Sequence, residues 1–201
     1  LPKGRKQKTT SIYDRLIAKG AVMGDSFGLE NALWFSKNPK DAHEEPTFRR
    51  SRSHSYVSAE VEAVRTAVGA TEIANFAKHE ITGSGSRDFL NYILAGTIPE
   101  PGRMTLTPML TPKGKLYGDL TVACMNEEKF MLYGSGAAQE MHRRWFESFL
   151  PREGVNYKNR SDDYHGIAIS GPNSRELLSR ICRDDVSAEV LKFRDVRETF
   201  V

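Results

Sequence analysis

The strongest alternation of hydrophobic and polar positions lies in the middle of the chain, where three apolar runs are separated by short polar segments. Pro112 and Gly114 separate the first run from the second, and these residue types favour the backbone angles of a turn. A second polar segment around Asn126 separates the second run from the third. The pattern predicts three consecutive antiparallel strands. The predicted strands are residues 104–110, 116–124 and 129–133.

The middle strand carries an acidic residue, Asp119, at its centre. Alternation places Leu120 and Val122 on one face and Asp119 on the other, so Asp119 points away from the more apolar face. A half-buried strand with one face in water accounts for this pattern on its own. Aspartate is nevertheless depleted in strands, because its side chain competes for backbone hydrogen bonds. Asp119 is therefore a candidate functional residue.

Helices and strands are predicted to alternate irregularly along the rest of the chain. Residues 24–46 show no periodic pattern, so we expect an irregular connector held by Trp34. Because neighbouring strands form hairpins rather than βαβ units, we expect an α+β architecture with mixed or antiparallel sheets and flanking helices. The other predicted elements are helices at 11–20, 58–68, 86–96, 138–150 and after Pro172, and strands at 77–82, around Tyr157 and at 167–169.

The charge distribution argues against several classes of partner. The chain has a net charge of +3, and basic residues such as Arg5, Lys6 and Lys8 cluster at its start without interleaved aromatic residues. This is typical of a solvated segment, so we expect no nucleic-acid binding. No apolar run approaches the length that spans a membrane, so we expect no membrane partner. The start lacks Met and a signal peptide, which indicates a domain boundary.

Cysteine, histidine and glycine patterns exclude further chemistry. Cys124 and Cys182 are far apart and form no CxxC pair, so we expect a reducing compartment, either the cytoplasm or the mitochondrial matrix of a eukaryote. The five histidines lack metal-ligand spacing, so we expect no metal site. A dinucleotide-binding glycine pattern is absent, so this chain should bind no FAD or NAD by itself.

Residues 102–138 resemble the aminomethyltransferase family, the glycine cleavage T-protein and its relatives, in which a Met-Leu-turn-Gly pattern precedes an Asp-Leu-Thr-Val strand. The likeness is greatest to the folate-binding portion of dimethylglycine and sarcosine dehydrogenases. The likeness extends over nearly the whole chain. One departure from the family pattern is Leu106, since many T-proteins carry a tyrosine at that position. Further matches occur in order at residues 13–16, 28–35, 45–50, 76–80, 107–110, 134–138 and 171–178.

The resemblance implies a domain organisation. Residues 1–50 would be a connector from an upstream flavin domain, and residues 51–201 the N-terminal part of a folate-binding domain built from interleaved α+β subdomains. The T-protein-like fold would be incomplete at the C-terminus. FAD is expected only on a domain outside this chain, and the chain alone is expected to be inactive.

The resemblance also implies a site for tetrahydrofolate. Asp119 would be catalytic, because a carboxylate can stabilise a cationic iminium and accept a proton from the attacking amine. Phe76 could cover the pteridine ring, and Leu106, Met109 and Ser135 could line the pocket. Ordinary core or turn packing accounts for those four residues equally well.

Three hypotheses about function remain open. In the first, the chain captures the iminium or formaldehyde-level carbon of an N-methyl amine as 5,10-methylenetetrahydrofolate, within a dimethylglycine or sarcosine dehydrogenase-like enzyme. In the second, it belongs to a stand-alone aminomethyltransferase of the glycine cleavage system, which needs a lipoyl protein. In the third, it is a non-catalytic folate-binding module. The segment 13–35 favours the first hypothesis.

Overall fold

The computed structural model describes residues 4–201 and has an α+β architecture in which every pair of strands is antiparallel. This confirms the fold class predicted from the sequence. No helix within residues 4–201 is both long and apolar enough to cross a membrane. The elements in chain order are α1 (Tyr13–Ala18), β1 (Ala21–Ser26), β2 (Leu29–Phe35), α2 (His54–Thr66), β3 (Gly69–Glu72), β4 (Ala77–Thr82), α3 (Ser86–Ile93), β5 (Arg103–Leu110), β6 (Leu116–Asn126), β7 (Lys129–Gly134), α4 (Gln139–Phe149), β8 (Asn156–Asn159), β9 (Ile167–Ser170) and α5 (Ser174–Ile181).

The chain forms two compact units that alternate along the sequence. Unit 1 comprises the described part of Leu1–Asn75 together with His165–Arg180, and unit 2 comprises Phe76–Tyr164 and Ile181–Val201. The predicted domain boundary at residue 50 does not coincide with a boundary between these units. Where an upstream domain would end stays a prediction.

Unit 1 begins with a hairpin of β1 and β2 that the sequence pattern did not predict. Ser26 pairs with Leu29, and the two turn residues, Phe27 and Gly28, have φ angles of 52° and 88°. A two-residue turn of type I′ needs positive φ at both positions, and a bulky aromatic residue rarely supplies it. The expectation of an irregular connector over residues 24–46 is therefore wrong for the part that forms this hairpin.

The second sheet of unit 1 pairs β3 with β9. The helix α2 precedes it and begins at His54 rather than at Ser58, and it contains no buried residue. Gly69 does not cap the helix. It is the first residue of β3 and pairs with Ser170 of β9. The short strand β3 was not predicted, since its partner lies far away in the sequence.

Unit 2 is built on a five-stranded sheet with the strand order β5-β6-β7-β4-β8. One face of this sheet packs against α3 and α4, because the inward positions of the strands are apolar and both helices are amphipathic. The strand β4 matches the predicted 77–82, and β5, β6 and β7 match the three predicted central strands. The largest core side chains are Ile81, Phe89, Leu90, Met109, Leu120, Phe130, Leu132 and Phe146.

Candidate functional site

Asp119 lies on the face of the unit 2 sheet that is opposite to the helices. Its neighbours Leu120 and Val122 are fully buried, whereas Asp119 is exposed. A register shift in the pairing of β5 with β6 leaves Tyr117 as an extra residue, and its ring packs on Trp145 of α4 with centroids 4.4 Å apart. Bulges of this kind change the direction of side chains near functional sites. Here the bulge lies directly before Gly118 and Asp119.

A row of side chains beside Asp119 is fixed by the strand register. Leu106 on β5 pairs with Thr121 on β6, which pairs with Tyr133 on β7, which pairs with Lys78 on β4. Residues directly opposite each other in a sheet share a face, so these four residues lie on the Asp119 face. Leu106 is 64% exposed although it is apolar. Burial raises the pKa of the Tyr133 phenol above its ordinary value.

A second row contains Asp119 itself. Pro108 on β5 pairs with Asp119, and Gly134 on β7 pairs with Ala77 on β4. Extending the β6–β7 and β4–β7 registers past the end of β7 places Ser135 opposite Asp119 and Phe76 opposite Ser135. Phe76 is 47% exposed and Ser135 is also exposed. On this extended register Asp119, Ser135 and Phe76 would form one row, with Leu106 in the adjacent row, although Ser135 and Phe76 lie just outside the paired strands.

Met109 does not lie with the other candidate residues. It is fully buried in the core of unit 2, on the face of the sheet that the helices cover. The cause is the two-residue period of the strand, because Pro108 already occupies the Asp119 face and Met109 follows it. Met109 supports the sheet beneath the candidate site rather than lining it.

His142 of α4 lies beneath the candidate site, and the sequence pattern did not single it out for a role there. Its ring is 1% exposed and faces Gly118 and Gly134 on the covered side of the sheet. A Cβ atom at Gly118 would lie 2.6 Å from His142 Nε2, and one at Gly134 would lie 3.1 Å from Nδ1. Burial lowers the pKa of His142, while Asp119 acts in the opposite direction. One glycine on each of two neighbouring strands, Gly118 on β6 and Gly134 on β7, was the only available signal.

No group of three or more His, Cys, Asp and Glu side chains within residues 4–201 is placed to hold a metal ion. The chemistry that these residues offer at the candidate site is therefore that of a carboxylate, a hydroxyl and exposed apolar surface.

Known proteins with similar sequences include a dimethylglycine dehydrogenase and an aminomethyltransferase. The family model described as the GCVT N-terminal domain matches residues 12–201. Human mitochondrial dimethylglycine dehydrogenase is 34% identical over 190 residues, which cover 93% of this chain and 22% of that protein. The aminomethyltransferase of Thermotoga neapolitana is 28% identical over 182 residues, which cover 89% of this chain and 45% of that protein. The chain thus spans less than half the length of either relative.

A solved structure supports the same relationship at the level of the fold. The glycine cleavage system aminomethyltransferase T from Bartonella henselae matches with a TM-score of 0.76 and 18% sequence identity. The match covers 94% of this chain and 47% of that one. At this identity the likeness establishes the fold, which is that of the aminomethyltransferase T-protein. Since the family model also matches nearly the whole chain, this protein belongs to the GCVT N-terminal domain family.

Proposed function

We propose that this chain is the tetrahydrofolate-binding part of a dimethylglycine or sarcosine dehydrogenase-like enzyme. Its task would be to capture the one-carbon unit released from an N-methyl amine as 5,10-methylenetetrahydrofolate. The observation that carries the proposal is the exposed carboxylate of Asp119 in mid-strand, with exposed apolar Leu106 on the same face and exposed Phe76 directly before β4. The similarity to human dimethylglycine dehydrogenase supports the choice of amine class.

The residues on this face fit a flat, partly apolar ligand that carries N–H groups. Phe76 and Leu106 offer exposed apolar surface, and the Asp119 carboxylate can accept hydrogen bonds. Glycines at 134 and 136 permit close approach to the backbone beside Ser135. A reduced pteridine ring has this combination of properties. We infer that it lies over the Asp119 face with a polar edge towards Ser135.

Asp119 has two roles in the proposed reaction. Its negative charge stabilises the cationic iminium that forms when the N-methyl amine is oxidised. It also accepts the proton that leaves the attacking amine as the new carbon–nitrogen bond forms. Tetrahydrofolate, when bound, supplies the nucleophilic nitrogen. Asp119 is exposed, and its carboxylate forms no hydrogen bond or ion pair within residues 4–201, so it is accessible for these tasks.

The proposal implies partners and a compartment for the parent protein. An upstream flavin domain, with FAD outside this chain, would oxidise the amine and deliver the iminium to the Asp119 face. Cys124 and Cys182 are both free thiols, which suits a reducing compartment such as the cytoplasm or the mitochondrial matrix. The human relative is mitochondrial by name.

A second candidate function is that of a stand-alone aminomethyltransferase. It is favoured by the similarity to the Thermotoga neapolitana enzyme and by the T-protein fold. The two functions differ in the source of the carbon, because the aminomethyltransferase of the glycine cleavage system works with a lipoyl protein. Turnover that depends on an aminomethyl-lipoyl protein and not on a free N-methyl amine would favour this second function.

The decisive experiment substitutes Asp119→Asn in the full-length protein that carries this sequence. Loss of a general base lowers a rate by about 10²–10⁴-fold, so formation of 5,10-methylenetetrahydrofolate should fall by that factor. Amine oxidation should continue, and free formaldehyde should appear in place of the folate product. The measurement is the ratio of folate product to formaldehyde during turnover.

Glu153→Gln is the matched control, because Glu153 is another exposed carboxylate of unit 2 and lies in a loop outside the sheet. It should leave the product ratio unchanged. A parental rate of folate product in the Asp119→Asn variant would show that Asp119 does not have the assigned role.

A further inference from the structure

The ring of His142 occupies the space directly beneath the two residues that precede Asp119 and Ser135. Those residues are Gly118 on β6 and Gly134 on β7, and the ring edge of His142 faces both. A Cβ at Gly118 would come within 2.6 Å of Nε2, a distance that real Cβ atoms do not adopt. The backbone of both strands therefore rests on the imidazole ring. The strand segments that carry Asp119 and Ser135 thus pass close over this ring.

The polar chemistry of His142 is unusual for a residue that serves only to fill space. The side chain is 1% exposed, and neither ring nitrogen has a hydrogen-bond partner among the described residues. An unpaired polar group in the interior costs stability, and an apolar side chain would avoid that cost. The second buried histidine, His79, differs in this respect because its Nδ1 lies 3.0 Å from the hydroxyl of Tyr157.

The electrostatic surroundings of His142 connect it to the same site. Burial is the main cause of its lowered pKa, so the ring is neutral near pH 7, and Asp119 is the charged group that opposes this shift. His79 lies on the neighbouring strand β4 with ring centroids 6.0 Å apart, and its own pKa is lowered to about 4 by burial. A neutral ring leaves the negative charge of Asp119 uncompensated, as the proposed stabilisation of an iminium requires.

We propose that His142 is a positioning residue for Asp119 and Ser135, acting through Gly118 and Gly134. This inference rests on the proposed role of Asp119. The ring sets the height and the separation of β6 and β7 at the candidate site. Glycine at both positions leaves room for the ring, since a Cβ at Gly118 would lie 2.6 Å from Nε2 and one at Gly134 would lie 3.1 Å from Nδ1 and 2.7 Å from Leu120 Cδ2.

The test uses the full-length protein that carries this sequence and begins with His142→Ala. A displacement of about 1 Å at a reacting group can lower a rate by about 10²-fold, so capture of the carbon by folate should fall by that factor. The dissociation constant for tetrahydrofolate, measured by titration calorimetry, should rise by a much smaller factor than the rate of capture falls, because Phe76 and Leu106 still offer their apolar surface to the ring. Amide hydrogen exchange at Asp119 and Ser135 should accelerate, which gives a readout that does not depend on activity.

A double-mutant cycle separates positioning from general destabilisation. If His142 acts through Asp119, adding His142→Ala to Asp119→Asn should cause no further loss of capture beyond about twofold. His79→Ala is the matched control, because His79 is equally buried in the same core but does not face Gly118 or Gly134. Its substitution should lower thermal stability, and any loss of capture should multiply with that of Asp119→Asn.

Gly118→Ala tests the same contact from the other side and keeps His142 in place. The added Cβ should push the strand away from the ring and lower capture, again without further loss in the Asp119→Asn background. Combining Gly118→Ala with His142→Ala should restore capture relative to Gly118→Ala alone, because the closest obstacle is then removed and only the flexible end of Met109, at 3.2 Å, remains near the Cβ. This arm carries the test if His142→Ala does not fold.

The outcomes distinguish this inference from the proposed function. If Asp119→Asn does not lower capture, the assigned role of Asp119 is wrong and the inference falls with it. If Asp119→Asn lowers capture but His142→Ala and Gly118→Ala leave it at the parental rate, the inference alone is overturned. The inference is also overturned if the loss of capture in His142→Ala or Gly118→Ala multiplies with the loss in Asp119→Asn.

Discussion

The two units of the chain are stabilised in different ways. Among the described residues, unit 2 contributes a continuous apolar core beneath its five-stranded sheet, whereas the buried hydrophobic side chains of unit 1 are Leu16, Val22 and Trp34. Unit 1 also contains an apolar cavity of about 420 Å³, which is lined by Leu16, Trp34 and Val64, among others. Packing density therefore differs strongly between two parts of one chain.

Unit 1 depends instead on a few polar contacts. The carboxylate of Glu30 is 1% exposed and accepts hydrogen bonds from Arg5 Nε at 2.6 Å and from the backbone N–H of Lys6 at 2.9 Å. The hydrogen bond from Arg5 is the main cause that lowers the pKa of Glu30 to about 2. The candidate site lies on the other unit, whose rigid packed sheet holds reactive groups in fixed positions. The densely packed unit therefore carries the proposed chemistry.

Truncation of a core residue should show the largest difference between the units. Phe146 is fully buried and its ring lies 5.1 Å from that of His79, so Phe146→Ala should destabilise unit 2 by about 3–5 kcal/mol. Val61→Ala on α2 should change stability by less than about 0.5 kcal/mol, because Val61 is half exposed. Chemical denaturation of both variants measures the two values. Equal losses would mean that α2 is as tightly packed as the core of unit 2.

Acidification should destabilise unit 2 before unit 1. Burial lowers the pKa of His79 from 6.5 to about 4 in the folded protein, so the unfolded chain binds more protons between these values. The contribution of neutral His79 to the free energy of unfolding is fully present above pH 6.5 and is lost as the pH falls to about 4. The loss amounts to about 3 kcal/mol, since one pKa unit corresponds to 1.36 kcal/mol. The lowered pKa of His142 also makes unit 2 less stable as the pH falls.

Glu30 defines a separate pH window for unit 1. Its pKa is lowered from 4.5 to about 2, so its contribution is present above pH 4.5 and is lost as the pH falls through 2. Hydrogen exchange of the two units between pH 7 and pH 3 should therefore show unit 2 losing protection first. His79→Phe should flatten the profile of unit 2. The same midpoint for both units would contradict the assignment to these two residues.

Relief of backbone strain should stabilise unit 1 slightly. Phe27 adopts a φ of 52° in the β1–β2 turn and its side chain is 80% exposed. Because a left-handed backbone costs an ordinary residue about 1–2 kcal/mol and asparagine less, Phe27→Asn should stabilise the hairpin by about 1 kcal/mol. Phe48→Asn is the control, since Phe48 is also exposed but has no positive φ. Equal shifts in the thermal midpoint would show that removal of an exposed ring, and not strain, is responsible.

Local sequence patterns predicted unit 2 better than unit 1. The strands β5, β6 and β7 follow a two-residue period and are joined by turns of suitable residue types, so their order and the outward direction of Asp119 could be predicted. The β1–β2 hairpin was missed because Phe27 is not a turn-forming residue. The strand β3 was missed because its pairing with β9 is a long-range contact that no local pattern encodes.

The candidate site was predicted in part for the same reasons. Asp119 lies on the exposed face of β6, as alternation predicted, and Ser135 and Phe76 lie directly outside the ends of β7 and β4. Met109 was placed in the pocket although its position in the strand turns it into the core. The place of His142 beneath Gly118 depends on how α4 docks on the sheet. Docking of this kind results from tertiary packing and cannot be derived from the helix sequence alone.

The pairing of β3 with β9 has a consequence for the order in which the chain folds during synthesis. The strand β3 leaves the ribosome early, but its partner β9 is made only after all five strands of the larger sheet, the last of which ends at Asn159. Contacts between distant segments form late, because the loop between them must first be closed. The larger sheet therefore has all its strands before the smaller one can pair. Nascent chains consequently pass through a stage in which residues 69–72 expose an unpaired edge, the kind of segment that chaperones protect from association.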